Sequence, residues 1–88
     1  MMCSQITPTH HFEDRFYITR KISALISYDD LIKFIKSCYI KNQLIEDRKH
    51  SGLMGPRYYV EIPIGNKKIT TIVEKTPDCL TLITVWPE

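Results

Sequence analysis

The sequence predicts an α+β fold in which two N-terminal helices pack on one face of a three- to four-stranded antiparallel sheet. Three observations carry that expectation. The first half repeats its apolar residues at helical spacing, the second half alternates them with period two, and the texture changes after Asn42. At 88 residues the chain is long enough for a single modest core, so residues 1–88 are read as one domain. Hydrophobic residues make up 43% and charged residues 25%, proportions that exclude a disordered chain.

Thr7 before Pro8 reads as an N-cap with proline at the first helical position, and Glu13 and Asp14 follow near the positive end of the dipole. On a helical wheel Phe12, Phe16 and Thr19 form a packing stripe, bordered by His11, Arg15 and Ile18. The second helix starts at the cap Ser27 and runs through "YDDLIKFIKSCY", with Leu31, Phe34, Ile35 and Cys38 at helical spacing. Asp29 and Asp30 open it and Lys33, Lys36 and Lys41 close it, in the order the macrodipole favours. "RKISALI" between the two reads either as more helix or as a connector.

"QLIEDRK" reads as a short strand and "HSGLMGP" as a loop. "RYYVEIPI" places Tyr58, Val60, Ile62 and Ile64 on one face. Gly65-Asn66 is a hairpin turn into "KKITTIVEK", and Thr76-Pro77-Asp78 a second turn into "CLTLITVW". Pro63 has no N–H to give a ladder, which puts its strand at an edge or a bulge. The sheet face away from the helices, and that edge, are left for a partner or substrate.

The net charge of +2 permits contact with phosphate without demanding it. Cys3, Cys38 and Cys79 form no close pair, so reduced thiols and a cytoplasmic location are expected. No secretory signal and no membrane-length apolar run is read. His10 and His11 are adjacent, which is poor ligand spacing, and neither a metal nor another cofactor is expected.

The helix with His11-x-x-x-Arg15, then "ISYDDLIKFI", "GPRYYVEI", a glycine turn, "ITTIVEK" and the closing "LITVWP" resemble a group of small uncharacterised bacterial and phage domains related to the RelE-type ribonuclease toxins. The resemblance implies a RelE-like fold. It also implies a toxin-like protein acting on RNA, either a metal-independent endoribonuclease or a degenerate relative, with His11 and Arg15 matching the helix-borne pair and Thr84 the threonine of the last strand. The stretch between Arg15 and "ISYDD" is longer than the family habit and lacks its glycine, and the chain lacks the basic tail of ribosome-dependent members. Free RNA, transfer RNA or no RNA at all is therefore implied rather than a ribosomal site, and an antitoxin or host target is the implied protein partner.

Metal-free RNA cleavage needs a base for the 2′-OH proton, a cation for the charged phosphorane and an acid for the leaving oxygen. His11 as acid–base and Arg15 one turn later as phosphate anchor suit the first two roles. Arg57 and Tyr59 on one sheet face, or Tyr58 on the other, with Thr84 in the last strand and His50 in the loop, are candidates to complete or bind. Each also has a plain structural reading: a solvated helix face for His11 and Arg15, strand propensity for Thr84, and core or rim packing for Tyr58, Tyr59 and Trp86. The rival function is a protein-binding module, such as a small phage-encoded inhibitor or accessory factor, using the sheet face or the "RYYVEIPI" edge.

Overall fold

The computed structural model describes residues 6–46, 56–75 and 79–87. The fold is α+β, and the sheet is larger than expected. Five strands lie in the order β1-β5-β4-β3-β2, with β1 Ile6–Pro8, β2 Ile45–Glu46, β3 Arg57–Ile64, β4 Lys67–Lys75 and β5 Leu80–Pro87. The sheet is mixed rather than antiparallel, because β1 runs parallel to β5. Three residues, one a proline, carry too little pattern to announce a strand. Pro8 is tolerated because β1 is an edge and its missing N–H breaks no ladder.

That strand also moves the first helix. Thr7 and Pro8 belong to β1, and the cap is Thr9, whose hydroxyl accepts from the Phe12 N–H at 3.1 Å. Helix α1, His10–Glu13, makes one turn and then widens into a π-helix over Asp14–Thr19. The Arg20 N–H reaches the Arg15 carbonyl at 3.2 Å, and the Thr19 hydroxyl donates to the Asp14 carboxylate across the same five-residue step. Phe12 and Phe16 are fully buried and stacked, with centroids 5.7 Å apart. The wider turn breaks the stripe beyond them, so Thr19 is exposed rather than aligned with the phenylalanines.

The ambiguous connector is a short 3-10 turn, Ile22–Ala24, entered through Lys21 at φ 50 and anchored by a fully buried Ile22. Helix α2 spans Tyr28–Ile40, and the Ser27 hydroxyl accepts from the Asp30 N–H at 3.1 Å. Leu31, Ile35 and Cys38 face the core. The helix ends in a Schellman motif: Asn42 takes the left-handed conformation at φ 57, its N–H reaches the Tyr39 carbonyl, and the Gln43 N–H reaches that of Cys38 at 2.8 Å.

β3 begins and ends where its alternation predicts, and Val60 and Ile62 enter the core beside the two phenylalanines. Gly65 turns the hairpin at φ 60, a conformation that glycine adopts without strain. Among the described residues the helices pack on one sheet face only, through Phe12, Phe16, Ile22, Leu31 and Ile35 against Val60, Ile62, Val73, Leu82 and Val85. The turn predicted at Thr76-Pro77-Asp78 lies outside the described residues, as does most of the "HSGLMGP" loop. Cys79 is disulfide-bonded, which corrects the expectation of reduced thiols: spacing along the chain does not say which sulfurs the fold brings into reach. Cys38 is free and buried.

Two threonines test the value of a hydroxyl in opposite directions. Thr9 Oγ1 accepts from Phe12 and donates to the Leu82 carbonyl at 2.9 Å, whereas Thr71 is fully buried and its Oγ1 has no partner. Thr9→Val is expected to lower stability by about 1–2 kcal/mol and Thr71→Val to raise it by about 1 kcal/mol. In a domain of this size each kcal/mol moves the melting midpoint by about 4–8 °C, and thermal unfolding reads both.

Burial first of all pushes the Cys38 thiol above its ordinary value of 9.0. The Tyr28 phenol is likewise raised above its ordinary 10.0, by burial and then by the neighbouring Tyr17, Glu13 and Asp29. Above these ordinary values the unfolded chain has released protons that the native state still holds. The stability these two groups contribute is therefore fully present below their ordinary values and is lost as pH rises through their raised ones. Urea titrations from pH 8 to about pH 11 should show that decline, with a shallower first part in Cys38→Ala.

Candidate functional site

The sheet face away from the helices is set out in cross-strand rows. Ile45 lies opposite Tyr59, Tyr59 opposite Ile72, and Ile72 opposite Thr84, a line running from β2 to β5. The next row carries Arg57, Glu74, Thr81 and Thr7. On the other side Glu61, Thr70 and Trp86 are aligned, and Lys68 donates to Glu61 at 2.9 Å. Arg57, Tyr59 and Thr84, three of the residues singled out from sequence, thus share one surface. A register shift between Ile72 and Val73 bends β5 just beside Thr84, and such bulges re-aim side chains.

The charged row holds an unusual pair. Glu74 is buried at 6% exposure, and Arg57 Nε stands 3.9 Å from its Oε2. That separation is too long for a hydrogen bond, and Arg57 Nε is buried with no partner. The attraction is therefore electrostatic, and the guanidinium keeps an unspent donor. Glu74 was missed in the sequence because it sits at the end of an alternating strand, where a charge ordinarily marks the wet side.

His11 and Arg15 are brought together. Arg15 Nε approaches His11 Nε2 at 3.5 Å, at the long limit of a hydrogen bond, in an exposed setting. Both sit on the solvent border of the segment whose phenylalanines fill the core. Among the described residues no hydrogen bond or ion pair joins this couple to Thr84, Arg57 or Tyr59, which lie across the sheet from the helix-packed core. His10 is fully exposed and lies 4.0 Å from the Glu13 carboxylate. His50 lies outside the described residues.

The sequence-predicted residues thus fall into two separate groups. One is an exposed His–Arg couple on the first helix, and the other is a sheet face of aromatic, threonine and paired charged residues. Among the described residues no three His, Cys, Asp or Glu side chains gather as metal ligands would. No helix among them is long and apolar enough to cross a membrane.

No family model, curated protein or solved structure matches the chain. Arg57→Met is expected to cost about 1–3 kcal/mol, because it removes the cation facing a buried carboxylate while keeping much of the apolar stem. Chemical denaturation should show this loss shrinking in the Glu74→Gln background, where no charge remains to be balanced.

Proposed function

We propose that this chain is a protein-binding module that takes an extended segment of its partner along the outer edge of β3. One observation carries the reading: β2 pairs only with Tyr58 and Tyr59 of the eight-residue β3. Among the described residues, Val60–Ile64 therefore have no strand on that side. Toward the opposite rim the backbone of β5 is covered. β1 pairs with Leu80, Thr81 and Leu82, Thr9 bonds the Leu82 carbonyl through both its N–H and its hydroxyl, and Arg20 Nη1 donates to the Val85 carbonyl at 2.8 Å.

An added strand would gain backbone hydrogen bonds from β3 and side-chain contacts from alternate positions. Pro63 has no N–H to offer, which limits uncontrolled edge-to-edge pairing. The partner class fits either a phage-encoded inhibitor's host target or an antitoxin.

The contact between Arg15 and His11 favours a second reading, the RNA-acting, RelE-like one, with His11 as acid–base and Arg15 as phosphate anchor. Among the described residues no hydrogen bond or ion pair joins the couple to a further acid–base group, which places it behind the first.

One pair of experiments decides between them. Peptides selected from a displayed library should protect the outward amides of β3 from hydrogen exchange, and N-methylation at alternate peptide positions should abolish binding. Protection elsewhere, or indifference to N-methylation, would sink the edge reading. Cleavage of total RNA in EDTA, lost in His11→Ala and Arg15→Ala at intact folding, would install the second reading instead.

A further inference from the structure

Neither reading uses a group of polar side chains at one end of the helix-to-sheet interface. There a cavity of about 180 Å³ is lined by Tyr39, Asn42, Leu44, Tyr58 and Lys75. The Schellman turn of α2 places Asn42 at its rim, the chain then enters β2 past Leu44, and the register of β3 on β4 puts Tyr58 opposite Val73, two positions before Lys75.

Among the described residues no polar head around this space has a hydrogen-bond or ion-pair partner. Lys75 Nζ lies 5.6 Å from the centroid of the Tyr39 ring, and among the described residues no carboxylate pairs with it. The Tyr39 and Tyr58 hydroxyls and the Asn42 side-chain amide likewise have no hydrogen-bond partner among those residues. Among the described residues, a cation with no carboxylate partner, two phenols and an amide therefore border a space to which Tyr39, Tyr58 and Leu44 also present carbon.

Size and charge together select a ligand class. A cavity of about 150 Å³ holds a benzene molecule, so this one accommodates a single ring and little more. A lone ammonium balances one negative charge, whereas a phosphate dianion on the same point charge would leave one charge unbalanced. We propose that the cavity binds a small aromatic monocarboxylate, its ring against Tyr58 and Leu44 and its carboxylate on the Lys75 ammonium and the Asn42 amide. The site is independent of the β3 edge and of the His11–Arg15 couple.

Benzoate is the probe, followed in ¹H–¹⁵N spectra that also report folding. Saturable shifts are expected at the amides of Asn42, Leu44, Tyr58 and Lys75, with benzamide and acetate each binding about tenfold more weakly or worse. Lys75→Gln should weaken benzoate about tenfold while leaving the weak benzamide response unchanged. Shifts that never saturate, equal binding of benzamide, or an indifferent Lys75→Gln would overturn the assignment. Tighter binding of phenyl phosphate than of benzoate would overturn the choice of a monoanion.

Discussion

The architecture turns on the Thr9 side chain. Its hydroxyl accepts the Phe12 N–H, which starts α1, and donates to the Leu82 carbonyl, which fastens that start to β5. A strand and a helix meet here with no loop between them, so the direction in which the helix leaves the sheet is set by one residue. Phe12 and Phe16 then enter the core as a stacked pair, and Arg20 closes on the Val85 carbonyl farther along the same strand. Fully burying two such rings contributes several kcal/mol, a large share of the stability of a domain this small. That contribution depends on the helix having been aimed by Thr9.

The two rims of the sheet differ because the chain treats them differently. Along β5, among the described residues, backbone carbonyls are taken up in turn by β1, by Thr9 and by Arg20. Along β3, among the described residues, only the two-residue β2 pairs, reached from α2 by way of Asn42. Exposed strand edges are usually blunted by short strands, prolines or charges. The part of β3 beyond Tyr59, Val60–Ile64, has one proline and one charge, Glu61, that is already held by Lys68, a light guard over an alternating apolar segment.

What could be read in the sequence was local. The Ser27 cap, the helical spacing of Leu31, Ile35 and Cys38, the alternation of "RYYVEIPI" and the glycine turn each depend on a few neighbouring residues, and each lies where expected. The i,i+4 spacing of His11 and Arg15 gave their proximity in the same way. β1 escaped because a parallel strand of three residues owes its existence to β5, more than seventy positions away, and a Thr-Pro pair is also how a helix begins. The π-helical widening and the Cys79 disulfide are likewise set by packing in space. In the candidate surface, Arg57, Tyr59 and Thr84 were recognisable by type, but Glu74 and the row that joins Tyr59 to Thr84 follow from registers that no single segment records.

These registers bear on the meaning of the His11–Arg15 couple. The helix carrying it is pinned to β5 by Thr9 at one end and by Arg20 at the other, with both phenylalanines sunk in the core between them. It cannot swing toward Thr84, Tyr59 and Arg57 without giving up that packing. A substrate touching both groups would have to pass around the outer rim of β5, where β1, Thr9 and Arg20 already occupy the backbone. The geometry therefore treats the couple and the sheet face as separate surfaces, and a single catalytic centre drawing on both would require the chain to unmake the joint on which its fold depends.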